Sequence, residues 1–114
     1  MTFDEYQKES KKTALYSEVE ILKKSKPFIY PVLGLVGEAG EVAEKFKKVL
    51  RNENGELSES ARLEIKKELG DVLWYLAQIA SELNLSLDDI AETNIKKLAS
   101  RLERGVIKSS GDNR

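Results

Sequence analysis

Apolar positions recur along the chain with the spacing of amphipathic helices, and nothing alternates long enough to make a convincing strand. Thr2 to Glu5 forms a capping box that opens a first helix carrying Phe3, Tyr6, Ala14, Ile21 and Leu22, expected to end near Ser25. Pro27 and Pro31 break that pattern, and Pro31 suits the first turn of a second helix running to about Arg51. The run Asn52-Glu53-Asn54-Gly55 reads as a turn, followed by a third helix from about Ser58 to Leu83. Ser86 to Asp89 caps a fourth helix that ends near Arg104, where Gly105 stops it. The expectation is an all-α, four-helix bundle-like domain over residues 1–104 with a polar C-terminal tail, 105–114.

Helical phase sorts the side chains of the second and third helices. At about 100° per residue from Glu38, the residues Val49, Val42, Leu35, Phe46, Ala39, Leu50, Ala43 and Val36 fill an arc from about 20° to 160°. Glu38 borders that arc and Glu41 lies about 60° further out, with Lys45 and Lys48 on the same side. From Glu68, the residues Ala61, Ile79, Val72, Leu83, Leu76, Leu69 and Leu73 fill a similar arc, and Asp71 is offset as Glu41 is. Glu64, Tyr75 and Gln78 share the acid-bearing stripe of the third helix. If the two helices pack antiparallel by their apolar arcs, Glu38, Glu41, Glu68 and Asp71 meet in one groove.

Composition narrows what such a groove does. The 114 residues include 19 Lys+Arg, 20 Asp+Glu, no Cys and no His. Thiol nucleophiles, disulfides, the usual zinc sites and His-based triads are therefore excluded, and any metal must be held by oxygen. The balanced charge argues against polymeric nucleic acid as a partner. No apolar run reaches a membrane span and the opening Met1-Thr2-Phe3-Asp4-Glu5 does not read as a signal peptide, so a reducing cytoplasm is the expected location. Four carboxylates facing one another would repel unless a hard cation lay among them. Mg²⁺ suits them, with Mn²⁺ as a substitute, because it takes a few carboxylates and leaves positions for phosphate oxygens. Against this stands a plainer reading in which Glu-x-x-Glu and Glu-x-x-Asp are solvated helix faces paired to lysines.

The run Tyr30-Pro31-Val32-Leu33-Gly34-Leu35-Val36-Gly37-Glu38-Ala39-Gly40-Glu41-Val42, followed by Lys67-Glu68-Leu69-Gly70-Asp71-Val72-Leu73-Trp74-Tyr75, resembles the MazG-like branch of the all-α nucleoside triphosphate pyrophosphohydrolases. The resemblance rests on paired E-x-x-E and E-x-x-D motifs, here separated by the 26 residues from 42 to 67. It implies Mg²⁺-dependent hydrolysis of a (d)NTP to (d)NMP and pyrophosphate, with Glu38, Glu41, Glu68 and Asp71 as metal ligands. It also implies a homodimer or homotetramer whose sites are completed across subunits. One departure is Gly37, where many members carry a further Glu, which leaves the number of metals open. On the fourth helix Asn94, Lys97 and Arg101 match positions that could hold sugar or phosphate. The alternative for them is a solvated basic face. Lys45 is a further phosphate candidate, against i+4 pairing with Glu41. Tyr75 is the aromatic candidate for the pocket, whereas Trp74 is expected at a subunit interface. Arg114 is a candidate for reaching a neighbouring site's phosphates, against a frayed terminus. Two other classes stay open: a non-catalytic helical interaction module, and a metal-binding bundle acting on another phosphate ester.

Overall fold

The computed structural model describes residues 1–24 and 26–114, and among them it is helical with no strand. Five helices follow in order: α1 (Phe3–Ser10), α2 (Glu20–Lys23), α3 (Ile29–Asn52), α4 (Glu59–Glu82) and α5 (Leu87–Glu103). The all-α reading holds, with the expected first helix replaced by α1, two short 3-10 turns (Lys11–Thr13 and Leu15–Glu18) and the single turn α2. Its expected end at Ser25 lies outside the described residues. The early stop has a local cause. The Ser10 hydroxyl donates to the Gln7 carbonyl and the Thr13 hydroxyl to the Ser10 carbonyl, so both side chains bond back onto the chain. Ala14 then leaves helical geometry at φ −83°, ψ 69°, and Tyr16 is turned inward and buried.

The three long helices start and stop where the capping residues predict. Pro31 lies buried in the first turn of α3. Ser58 accepts from the Ala61 amide and Ser86 from the Asp89 amide, each satisfying an orphan donor of a helix start. Asn54 and Gly55 both take positive φ, 53° and 77°, turning α3 back on α4. That antiparallel hairpin is the backbone of the molecule. α1 packs against α4 and α5, and its start is stitched to that of α5. Asp4 accepts from the Ser86 hydroxyl and the Asp88 amide, while Asp88 accepts from the amides of Phe3 and Asp4. Gln7 completes the joint by donating to Ser81 and the Leu85 carbonyl and accepting from the Leu87 amide.

The hairpin does not pack by the whole of its apolar arcs. On α3 the covered positions, Glu44 apart, are Pro31, Gly34, Leu35, Glu38, Val42, Lys45 and Val49, a face centred on Glu38 itself to within about 20°. The outer half of the arc, roughly 80° to 160°, is open, with Val36 69% and Leu50 71% exposed beside Val32 and Phe46. Leu69 and Leu76 of α4 are exposed at a similar offset. In an antiparallel pair, equal offsets of the same sign project to the same side, so these residues form one apolar face. The acids border the opposite side.

The dimensions reflect this openness. The radius of gyration is 17.4 Å, against about 13 Å for a compact chain of this length. The accessible surface is 8435 Å², against roughly 6300 Å² for a folded monomer of this mass.

Candidate metal centre

Glu38 comes from the middle of α3, and Glu68 and Asp71 from facing turns of α4. One carboxylate oxygen from each lies within 4.8 Å of the others. Glu41 is exposed and stays outside that group, so the four-acid groove becomes a group of three with a fourth carboxylate beside it. The electrostatics follow from the crowding. Burial, and then the charges of Asp71, Glu68 and Glu41, push the Glu38 carboxyl above its ordinary value of 4.5.

A raised folded-state pKa in an acid means that the native state holds its proton to higher pH than the unfolded chain does. Stability therefore falls as pH rises from about 4.5 through the raised value. In protein stripped of divalent cations, Glu38→Gln is expected to melt higher than the parent at pH 8, with the difference shrinking as pH falls to 4. A variant melting below the parent at pH 8 would show that Glu38 carries no such penalty.

Lys45 does not pair along its own helix. Its ammonium lies 3.6 Å from Glu68 and 3.8 Å from Glu64, bridging α3 to α4, while Glu44 takes Lys47 at 2.8 Å. The i+4 expectation fails because Lys45 lies on the covered side of α3. Glu64 also binds Lys67 at 3.0 Å, and its carboxyl is lowered first by that hydrogen bond and then by the charges of Lys67 and Lys45.

Above the acids stands an aromatic cluster. Tyr16 stacks on Tyr30 with centroids 5.1 Å apart, and Trp74 meets Tyr75 edge-on at 5.1 Å and Tyr16 at 6.3 Å. Trp74 donates its indole N–H to the Thr13 hydroxyl at 2.9 Å. Trp74 is thus half-buried against its own chain, and its partners Thr13 and Tyr16 come from the short 3-10 turns, which carry no periodic signal. The Tyr75 hydroxyl is raised above its ordinary value of 10.0 by burial, then by Tyr30 through charge and a hydrogen bond, then by the charges of Glu38 and Asp71.

Tyr75 reaches this position because residue 34 is glycine. A Cβ there would fall 2.1 to 2.6 Å from three ring carbons of Tyr75. Alanine favours a helix over glycine by about 1 kcal/mol, yet Gly34→Ala is expected to destabilise by about 1–3 kcal/mol through overpacking. Urea unfolding at fixed protein concentration measures it, and the loss should largely vanish in a Tyr75→Ala background. A loss of the same size in that background would rule out the ring as its cause.

The α5 candidates behave differently from a solvated basic face. Arg101 is 4% exposed, and its Nη2 donates to the Asp112 carbonyl at 2.6 Å and to Asp112 Oδ1 at 3.0 Å. Lys97 donates to the same Oδ1 at 3.1 Å. Asn94 is exposed and lines a cavity of about 300 Å³ with Asp89, Ile90, Thr93 and Lys97. Arg114 is neither frayed nor free. It donates to the carbonyls of Val106, Ile107 and Gly111, and Arg104 donates to its carbonyl, so the tail folds back on α5.

Sequence reasoning passed over Gly34, Thr13 and Glu82, and left Tyr16 without a role. Glu82 alone left a signal, falling four residues after Gln78 on the acid-bearing stripe.

The central hairpin of this all-α domain brings three carboxylates from facing helices to one point, a group of oxygens that could hold a divalent cation. The model of the MazG nucleotide pyrophosphohydrolase domain matches residues 31–106, which include all but the first two residues of α3, the whole of α4 and α5, and all three acids. The chain belongs to that family. It is also 44% identical to the Gene 37 protein of Mycobacterium phage L5, over 114 residues and the full length of both chains. No solved structure matches it. Among the described residues, no helix is long and apolar enough to cross a membrane.

Proposed function

We propose that this protein is a Mg²⁺-dependent nucleoside triphosphate pyrophosphohydrolase that converts (d)NTP to (d)NMP and pyrophosphate. The observation that carries the reading is the meeting of Glu38, Glu68 and Asp71 oxygens within 4.8 Å, and membership of a nucleotide pyrophosphohydrolase family supports the reaction class. The donor set fits the ion. All donors are hard oxygens from two rigid helices, and burial together with the negative charge they concentrate raises Glu38. When bound, Mg²⁺ or Mn²⁺ neutralises charge on the phosphates.

The chain's own residues supply the rest. Water adds to phosphorus, the P–O bond between the α and β phosphates breaks, and the water's proton passes to a carboxylate. Glu41 is suited to accept it, because it borders the acid group without belonging to it, whereas Glu64 is tied to Lys67 and Lys45. Lys45 holds Glu68 and screens the approaching phosphates. Lys97 and Arg101 exchange Asp112 for phosphate oxygens, Asn94 faces the sugar, and Tyr75 walls the pocket. Arg114 holds the tail in place.

Two copies of the chain pair through the apolar face of the hairpin. The surface excess of roughly 2100 Å² per chain over a compact monomer, about 4200 Å² for two chains, lies within the range that obligate homodimers bury, and a dimer of dimers would extend it. A panel of (d)NTPs with Mg²⁺ tests the activity by product identity. Monophosphate plus pyrophosphate supports the proposal; orthophosphate release or inertness overturns it.

A further inference from the structure

We infer that a polar cavity alongside α4 reads the nucleobase, and that Glu82 selects bases whose hydrogen-bonding edge carries an amino donor, guanine above the rest. The inference rests on the proposed function, in which the acids mark the phosphate end of the site. The cavity, of about 320 Å³, is lined by Lys11, Tyr16, Gln78, Ser81 and Glu82 among others.

Its place on α4 connects it to the acids. Asp71, Tyr75, Gln78 and Glu82 fall within roughly 60° of one helix face. Gln78 and Glu82 follow Asp71 by 7 and 11 residues, or roughly 10 and 16 Å of helix rise. An extended nucleotide covers that span between its phosphates and the far edge of its base. The aromatic cluster of Tyr75, Trp74, Tyr30 and Tyr16 lies between the two ends, and base faces stack on such rings.

The donors and acceptors are set by neighbours. The Ser10 hydroxyl gives its proton to the Gln7 carbonyl, so its oxygen accepts from the Gln78 amide nitrogen at 2.9 Å. That orients the 1% exposed Gln78 and makes Oε1 the acceptor it offers. The Tyr16 hydroxyl donates to Glu82 Oε1 at 2.7 Å, holding the carboxylate while leaving lone pairs on both oxygens. The edge of guanine presents two adjacent N–H donors that match a carboxylate, and its carbonyl oxygen can take a proton donor such as Lys11. Uracil and thymine place a carbonyl oxygen on each side of a single N–H and would meet Glu82 oxygen to oxygen. A site built of polar groups rejects a mismatched edge strongly, because those groups are left unpaired.

The test compares kcat/KM for dGTP, dCTP, dATP, dTTP and dUTP at fixed Mg²⁺. The parent protein should favour dGTP over dTTP and dUTP by at least about tenfold. Glu82→Gln should reduce that ratio about tenfold or more, and Tyr16→Phe should shift it in the same direction by less. Melting curves establish that each variant folds. Should Glu82→Gln fail to fold, competition of dGMP against dUMP for the parent protein without metal, together with Tyr16→Phe, decides the matter: tighter dGMP binding that weakens in the variant supports the inference. Turnover of triphosphates with a flat profile, or a profile unmoved by these variants, overturns the base assignment and leaves the proposed function standing. Inertness toward every triphosphate overturns both.

Discussion

Asp71→Asn is expected to reduce Mg²⁺-dependent pyrophosphate release on the order of 10²–10³-fold while leaving the helical hairpin folded. The substitution keeps the shape of the side chain and removes its charge. With oxygens of Glu38, Glu68 and Asp71 inside 4.8 Å, losing one charge removes one anionic ligand and weakens the hold on a small hard cation that keeps its other positions for water and phosphate. The opposing effect makes the result diagnostic. In metal-free protein the same change relieves repulsion on Glu38, whose carboxyl Asp71 helps to raise, so thermal stability should hold or increase as turnover collapses. Mg²⁺ should raise the melting temperature of the parent by mass action and move the variant far less. Glu38→Gln should behave likewise. An Asp71→Asn protein that keeps parental turnover would remove the acid group from the chemistry.

The phase arithmetic could see the acid stripe because its positions repeat along two uninterrupted helices, α3 with Pro31 in its first turn and α4 with Ser58 capping its own. Thr2, Ser58 and Ser86 announce helix starts, and Asn54-Gly55 the reversal, through interactions within a few residues. What stayed hidden depends on distant partners. Ser10 and Thr13 end α1 by bonding back to the chain, after which Tyr16 and Trp74 meet across more than fifty residues in a segment with no period. Arg101 and Arg114 look like surface cations in one dimension, yet they bind Asp112 and backbone carbonyls of the tail. The arcs posed a different difficulty. An apolar arc about 140° wide records everything that a helix face covers, in its own chain or in another, without dividing the two. Only the folded chain places Glu38 at the centre of the intrachain contact and leaves Val36 and Leu50 outside.

That division yields the second large effect. Leu50→Asp, or Val36→Asp on the same face, is expected to turn the proposed dimer into monomers at micromolar concentration. These side chains are 71% and 69% exposed in the single chain, so a carboxylate there costs the isolated fold little and can stay hydrated. In a paired apolar face the same carboxylate is buried without a partner, and losses of 2–4 kcal/mol at a central contact, about 30- to 1000-fold in the dissociation constant, are ordinary. Light scattering across a dilution series reads the mass, and circular dichroism reads whether the helices persist. Turnover should fall together with the dimer if the neighbouring chain steadies the hairpin that carries Glu38, Glu68 and Asp71. A charge at residue 50 that changes neither mass nor activity would mean that this face is not where chains meet. Both the surface excess and the 17.4 Å radius of gyration would then need another occupant. The acid face tests the opposite side of the same hairpin, so Asp71→Asn should remain a dimer and Leu50→Asp should still hold its three acids. The two substitutions therefore separate assembly from chemistry.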